Sequence, residues 1–142
     1  MDRLMELLLV AVIVLVADQG SKLAAISYAA GRRVAVGPLV AIRPMRTMRS
    51  SFSRHTARIG LVLTWCAACG SMLALDLLGV GPQSDAARVG MWAALGGAAG
   101  NLLDILRRHA VTDFIDVGWW PVFNLADVAI VAGLIVAFAQ TA

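Results

Sequence analysis

The sequence has no polar stretch long enough to fold as a separate soluble domain. Only 15% of its 142 residues are charged and 60% are hydrophobic, and the mean hydropathy is +0.80. That apolar share lies far above the level of soluble globular domains. We therefore predict one compact membrane domain that covers residues 1–142.

Cysteine and histidine are scarce, which argues against the common metal and redox sites. The chain has two cysteines, Cys66 and Cys69, and two histidines. A zinc site needs about four ligands, and a redox CxxC normally opens a helix beside a sheet rather than lying inside an apolar run. We interpret the cysteines as small residues packed in a helix bundle, and we expect neither a metal nor a cofactor.

Four long apolar runs are present, and each approaches the roughly 20 residues that cross a membrane. A backbone in hydrocarbon must satisfy its own hydrogen bonds, so these runs are predicted to be helices. The predicted helices cover residues 7–29, 59–78, 86–103 and 122–139. The first run has the short charged start of a signal peptide, but it is long and carries Asp18 and Lys22, so we expect it to be retained.

The segment 30–58, between the first two runs, contains no acidic residue. Its seven arginines are Arg32, Arg33, Arg43, Arg46, Arg49, Arg54 and Arg58. The stretch "VAVGPLVAI" (34–42) places branched residues around a Gly-Pro pair, which predicts a small hairpin on the membrane surface. The arginines are interpreted as a face that contacts lipid phosphates, or as a platform for a substrate at an anionic membrane surface. Nucleic acid is not expected as a partner, because the segment is short and tied to a membrane bundle.

Two carboxylates, Asp113 and Asp127, are placed around the start of the fourth predicted helix. Asp127 falls in the first turns of that helix, Asp113 falls in the loop fourteen residues earlier, and Pro121 lets the chain turn between them. Two carboxyls brought together at a membrane edge cannot both ionise easily, so one keeps a proton. An aspartic protease uses this arrangement: one carboxylate takes a proton from water and the other donates to the scissile carbonyl. A helix N-terminus that favours acids, or a proton relay, would explain the same residues.

Further polar side chains interrupt or adjoin the apolar runs: Asp18, Lys22, Asn101, Asp104 and Asn124. Asp18 and Lys22 are spaced i, i+4 and can pair within the first helix. Asn101 and Asp104 lie one turn apart and can form hydrogen bonds across the bundle, while Asn124 can orient either carboxylate. Two glycines of the same third run, Gly96 and Gly100, permit close helix packing.

Taken together, these motifs resemble the lipoprotein signal peptidases, the signal peptidase II family. The motifs are "DQGSK" (18–22), "GGAAGN" (96–101) followed by Asp104, "VTDFID" (111–116) and "WPVFNLAD" (120–127). The resemblance implies an all-α membrane protein with four transmembrane helices and a small extracytoplasmic β cradle between helices 1 and 2. It also implies cytoplasmic termini, whereas the positive-inside rule would place the arginine segment in the cytoplasm.

The resemblance further implies a multi-pass aspartic endopeptidase of the bacterial inner membrane. The family removes the signal peptide from diacylglyceryl-modified prolipoproteins, cutting just before the lipid-carrying cysteine. By motif, Asp113 and Asp127 would be the catalytic pair, and the support or substrate-binding residues would be Asn101, Asn124, Asp18, Lys22 and Asp104. The expected partners are the lipid-modified prolipoprotein and membrane phospholipids, and the expected state is a monomer.

Four positions depart from the family pattern: Thr47, Arg49, Ile105 and His109. The first two fall in "TMRSSF" (47–52), where the family has "NxGAAF", with an Asn that helps to hold the substrate. Ile105 replaces an arginine, whose role Arg107 or Arg108 could cover, and His109 replaces a glycine. These departures leave open a re-specialised or inactive paralogue that acts as a binding or assembly subunit. The buried acids leave open a small proton or ion pathway.

Overall fold

The computed structural model describes residues 3–47 and 55–139. Within those ranges the chain forms four helices and three strands. They are α1 (Arg3–Ala29), β1 (Val34–Ala35), β2 (Ala41–Thr47), α2 (His55–Leu77), α3 (Asp85–Arg108), β3 (Val111–Asp116) and α4 (Leu125–Ala139). The fold is therefore mostly helical, with one small sheet.

Three helices of the described ranges, α1, α2 and α3, are long and apolar enough to cross a membrane. The fourth, α4, has 15 residues, fewer than the roughly 20 of a perpendicular crossing. The structure thus contains the four predicted helices, and three of them qualify as membrane spans by length and composition.

The helix ends differ from the predicted ones. Helix α1 begins at Arg3 rather than 7, α2 covers His55–Leu77 rather than 59–78, α3 covers Asp85–Arg108 rather than 86–103, and α4 begins at Leu125 rather than 122. An apolar run marks the part of a helix that suits hydrocarbon, whereas helical hydrogen bonds continue into the polar flanks. The late start of α4 has another cause, because Phe123 pairs with Ile115 and is extended.

Helix α3 lies at the centre and packs mainly on α4 and α1. A Cβ atom added to Gly96 would lie 2.5 Å from the backbone oxygen of Ala11, and one added to Gly97 would lie 2.6 Å from that of Ala126. A Cβ atom at Gly100 would collide with the Asp18 carboxylate. The predicted close packing at Gly96 and Gly100 is confirmed and brings α1 against one side of α3, while Gly97 allows α4 to approach the other side.

Helix α2 is attached more loosely. A small apolar cluster of Leu7, Met72 and Trp92 joins it to α1 and α3 at one end, where the Trp92 indole also donates to Asp76 Oδ2 at 3.1 Å. Of the two cysteines on this helix, Cys69 is partly buried and Cys66 is exposed. The packing interpretation therefore fits Cys69 and is wrong for Cys66, because the outer face of α2 has no neighbour among the described residues.

The sheet is antiparallel, with the strand order β1-β2-β3. Val34 pairs with Ile42, which forms the predicted hairpin. The third strand comes from 111–116, between α3 and α4. The expectation of a β element formed only by the segment between helices 1 and 2 is therefore wrong. Asp113 accordingly lies on a strand and not in a loop, paired with Met45 of β2. The branched and aromatic residues of this stretch suit a strand, but its partner is distant in sequence.

An ion pair fastens the loop before β1 to the third strand. Arg33 Nε donates to Asp116 Oδ2 at 2.8 Å, and the Gly118 amide donates to Asp116 Oδ1 at 2.9 Å. The bond from Arg33, followed by the bond from Gly118, holds the pKa of Asp116 below its ordinary value. One arginine of the basic segment is thus neutralised within the protein. Arg49 and Arg54 lie outside the described residues.

Candidate active site

The two aspartates singled out in the sequence meet at one cavity. Asp113 lies in the middle of β3, and Asp127 lies in the first turn of α4. Both line a cavity of about 350 Å³ whose other lining residues are Thr47, Asn101, Ile105, Val111 and Val122. The tertiary structure thus converts a separation of fourteen residues into a shared site at the end of the bundle.

Asn124 joins the two carboxyls. Its side-chain amide donates to Asp113 Oδ1 at 2.8 Å, and its backbone amide donates to Asp127 Oδ2 at 3.1 Å. In return, the Asp127 amide donates to Asn124 Oδ1 at 2.9 Å. This reciprocal pair is a capping box at the start of α4, with an aspartate in the position usually held by Glu or Gln. The same bonds that begin the helix therefore fix Asp127 beside Asp113.

Asn101 approaches Asp127 from α3. Its Nδ2 donates to Asp127 Oδ1 at 2.9 Å. Its Oδ1 accepts from Asn124 Nδ2 at 3.0 Å and from Lys22 Nζ at 3.1 Å. Because the cation and the second amide both donate to the oxygen, the Asn101 nitrogen is directed at Asp127. The two asparagines thus provide a donor to each carboxyl.

Lys22 is the centre of a buried charged cluster behind the asparagines. Its ammonium lies 2.7 Å from Asp18 Oδ2 and 3.0 Å from Asp104 Oδ2, and all three side chains are excluded from solvent. With Asn101 as the third partner, every donor of the ammonium is used. The predicted pair of Asp18 and Lys22 forms, and Asp104 joins it.

The same cluster fastens the elements that carry the aspartates. Asp18 Oδ1 accepts from the Ala126 amide at 3.0 Å, one of the amides that the first turn of a helix leaves unpaired. Asp104 Oδ2 accepts from the Thr112 amide at 3.1 Å. Since α4 and β3 are each held by a cluster carboxylate, the buried charges set the positions of Asp127 and Asp113.

The electrostatics of Asp113 favour a protonated carboxyl. Burial raises its pKa above the ordinary value, and the neighbouring charge of Asp127 adds to the increase. The hydrogen bonds from Thr47 and Asn124 and the charge of Lys22 act in the opposite direction without cancelling the effect. Two close carboxyls, one of which resists ionisation, can hold one proton between them.

Three of the four departing positions are described. Thr47 Oγ1 donates to Asp113 Oδ2 at 2.5 Å, and the Ile105 side chain lines the cavity. Arg108 lies 3.0 Å from Asp104 Oδ1, so it pairs with the acid that precedes Ile105. His109 ends α3 in the left-handed region at φ 60°, a conformation that favours glycine. Arg49 lies outside the described residues.

The contacts of three residues in the site were missed in the sequence. They involve Thr47, the Thr112 carbonyl, which accepts from Asn124 at 3.3 Å, and Gln19, whose amide donates to Asp18 at 3.1 Å and to the Gly100 carbonyl at 3.2 Å. Gln19 stands within the "DQGSK" motif, which was the available signal. The other two depend on the pairing of β2 with β3 and on the turn into α4, for which no local pattern exists.

A family model described as signal peptidase (SPase) II matches residues 10–142. The lipoprotein signal peptidase of Rhodococcus jostii is 35% identical over 146 aligned residues, which cover 94% of this chain and 71% of that protein. The lipoprotein signal peptidase of Mycobacterium tuberculosis is 37% identical over 145 residues, which cover 94% of this chain and 69% of that protein.

Solved structures provide an independent comparison of the fold. Two structures of bacterial membrane enzymes obtained by the in meso method superpose with TM-scores of 0.72 and 0.69, each at 23% identity. The superpositions cover 98% of this chain and 88% and 94% of the two neighbours. At this identity the likeness shows that the arrangement of helices and sheet is shared.

Proposed function

This chain belongs to the signal peptidase II family, and we propose that Asp113 and Asp127 are the two carboxyls with which it cleaves its substrate. The family match identifies a multi-pass membrane protein and an aspartic peptidase of the signal peptidase II type. One observation carries the assignment of the two residues: Asn124 bonds to both carboxyls where they line one cavity.

The proposed substrate is a prolipoprotein. The relatives from Rhodococcus jostii and Mycobacterium tuberculosis are lipoprotein signal peptidases, and we transfer that activity to this chain. The substrate then carries a diacylglyceryl group on a cysteine, and the peptide bond just before that cysteine is cut. Its lipid and signal peptide lie in the bilayer, so their binding energy brings the bond to the two carboxyls.

The chemistry assigns different roles to the two acids. Asp113, whose pKa is raised by burial and by Asp127, holds the proton and donates a hydrogen bond to the scissile carbonyl. Asp127 is the charged partner and takes a proton from a water molecule, whose oxygen attacks the carbonyl carbon. When the tetrahedral intermediate collapses, the C–N bond breaks and the proton passes to the leaving amine. The products are a signal-peptide carboxylate and a lipoprotein with a free N-terminal cysteine.

A second cavity suits the delivery of an apolar substrate. It has a volume of about 320 Å³, lies between α2, α3 and α4, and is lined almost entirely by apolar side chains. Asn101 and Ile105 line both this cavity and the one that contains the aspartates. The two cavities are therefore neighbours, so a chain lying in the hydrocarbon has a short path to the carboxyls.

We further propose that α4 is the fourth transmembrane helix of a single membrane domain in the bacterial inner membrane. Its 15 residues span about 22 Å at 1.5 Å each, and Trp119 and Trp120 just before it are well exposed, as interface anchors are. The termini then lie in the cytoplasm and the sheet outside. The exposed arginines of β2, Arg43 and Arg46, contact phospholipid phosphates there, and the enzyme acts as a monomer.

A cleavage assay tests the assignment of the two acids. Purified protein in detergent is incubated with a diacylglyceryl-modified prolipoprotein, and the products are separated by gel shift. Asp113→Asn and Asp127→Asn should each lower kcat by at least about 100-fold, the size of a general acid or base contribution. Asp116→Asn is the matched control, since it removes a carboxyl of the same strand whose partner is Arg33, and it should retain cleavage.

Folding of each variant is checked by size-exclusion chromatography and thermal unfolding in the same detergent. A folded Asp113→Asn protein that cleaves at the rate of the parent would contradict the assignment. An inactive parent would instead favour the alternative of an inactive paralogue that acts as a binding or assembly subunit. A mild-detergent pull-down would then look for the stable partner that such a subunit requires, and pH-driven flux in liposomes would test the ion-pathway alternative.

A further inference from the structure

We propose that Thr47 is a positioning residue for the catalytic pair, which holds the Asp113 carboxyl in its reactive orientation by donating a hydrogen bond to one of its oxygens. The inference rests on the proposed function of Asp113. Thr47 is the last described residue of β2, and its side chain lines the same cavity as the two aspartates. It stands at a position where the sequence departs from the family pattern, so its role cannot be transferred from the family.

The geometry gives each oxygen of Asp113 its own donor. Thr47 Oγ1 donates to Oδ2 at 2.5 Å, and Asn124 Nδ2 donates to Oδ1 at 2.8 Å. The two donors come from different elements, the end of β2 and the cap of α4. Because a carboxyl group rotates about one bond, donors on both of its oxygens fix its plane, whereas a single donor leaves it free to turn.

The register of the sheet explains how Thr47 reaches Asp113. Thr47 pairs with Val111, and Met45 pairs with Asp113. Thr47 and Asp113 are therefore diagonal neighbours, and side chains at such positions lie on the same face of an antiparallel pair. The register of β2 on β3 therefore places the Thr47 hydroxyl beside Asp113, and the helices take no part in that placement.

Several other charged groups stand on the elements packed around Asp113. They are Asp127 on α4, Lys22 and Asp18 on α1, Asp104 and Arg108 on α3, and Arg46 on β2. A change of Thr47 to valine keeps all of these charges and nearly the same side-chain volume. It removes one neutral hydrogen-bond donor to Asp113 and leaves every charged group in place.

The expected sign of the pH effect follows from that single loss. A donor to a carboxylate favours its charged form, so the Thr47 hydroxyl lowers the pKa of Asp113. Without the hydroxyl, Asp113 keeps its proton to higher pH. Because the proposed mechanism requires a protonated Asp113, the alkaline limit of kcat should move upward in Thr47→Val. The loss of orientation should lower kcat at the optimum by about tenfold with little change in KM.

The experiment is a pH profile of kcat and KM for the parent, Thr47→Val, Thr47→Ser and Thr56→Val. Serine retains the hydroxyl and should restore both the rate and the alkaline limit. Thr56 is exposed at the start of α2, so its valine variant is the matched control and should behave as the parent. If Thr47→Val has the parent's kcat and alkaline limit, or changes KM alone, the inference is overturned.

A measurement independent of activity separates this inference from the proposed function. The infrared carbonyl band of a protonated aspartic acid can be followed against pH, and Asp113→Asn identifies the band by its loss. That band should persist to higher pH in Thr47→Val than in the parent and in Thr47→Ser. An unchanged titration would overturn the inference even in an active enzyme. Conversely, a shifted band in a protein that cleaves nothing would support the contact and contradict the proposed function.

Discussion

The α1–α3–α4 core and the α2 helix follow different packing rules within one small protein. Of the apolar membrane-spanning segment of α3, 44% is buried, against 11% in α1 and 6% in α2. The core helices approach so closely that glycines face backbone atoms, and they enclose a network of buried charges and amides. The α2 helix instead borders two apolar cavities, of about 330 and 320 Å³.

Under the proposed function, this difference separates the two tasks of an enzyme that works on membrane-bound substrates. The carboxyls need fixed positions, which the polar network of α1, α3, α4 and the sheet provides. An apolar substrate needs space beside them, which the loose contacts of α2 leave open. The side chains that donate to the two aspartates, Thr47, Asn101 and Asn124, come from β2, α3 and the cap of α4. We therefore expect changes in the core to be costly and matched changes on α2 to be mild.

The largest effect on stability should come from Lys22→Met. The change leaves Asp18 and Asp104 facing each other in a site closed to solvent. Breaking a buried ion pair by removing one partner costs about 3–5 kcal/mol. Thermal unfolding in detergent measures the loss, and Arg3→Met is the control, because its partner Asp85 is exposed and such pairs contribute about 0–1 kcal/mol. Equal losses of stability in the two variants would show that the buried cluster around Lys22 contributes no more than an exposed ion pair.

The next effect should come from an added methyl group between α3 and α4. In Gly97→Ala the new Cβ would lie 2.6 Å from the Ala126 backbone oxygen, whereas in Gly70→Ala on α2 it would meet nothing within 4 Å. Overpacking costs about 1–3 kcal/mol, while alanine in an open helical position is favourable by about 0.5–1 kcal/mol. The unfolding temperature should fall in Gly97→Ala and rise in Gly70→Ala when the two are measured side by side. If both temperatures move in the same direction, the proposed difference between the two regions is wrong.

The smallest effect should come from Arg33→Met at the edge of the sheet. The arginine lowers the pKa of Asp116, so the folded pKa lies below the unfolded one. The stability from this pair is therefore present above the unfolded pKa of the aspartate and is lost as pH falls through the folded pKa. Unfolding temperatures of parent and variant should differ slightly at neutral pH and converge in acid. A difference that grows as pH falls would have the wrong sign for this pair.

The predictions from sequence succeeded where a local pattern reports the physics. The apolar runs located the helices, because a membrane span must be both apolar and continuous. Asn124 was expected to be able to orient either carboxylate, and it donates hydrogen bonds to both Asp113 and Asp127. Asp18 and Lys22 are one helical turn apart and pair as expected.

The predictions failed where the deciding contact is distant. The stretch 111–116 was interpreted as a loop, because its strand partner lies some 66 residues earlier along the chain, as between Thr47 and Asp113. The exposure of Cys66 depends on which face of α2 meets α3. The start of α4 depends on the extended pairing of Phe123 with Ile115, which lies eight residues earlier.

The sequence by itself thus determined the class of protein, the helical segments and the acids at the end of the bundle. These properties depend on composition and on spacings within one turn. Only the tertiary structure decided that Asp113 lies on a strand, that Thr47 and Asn124 donate to its two oxygens, and that Lys22 holds two acids and an amide. Those contacts join α1, β2, α3, β3 and α4, and they arise because close helix packing and strand register bring together residues that no local period relates.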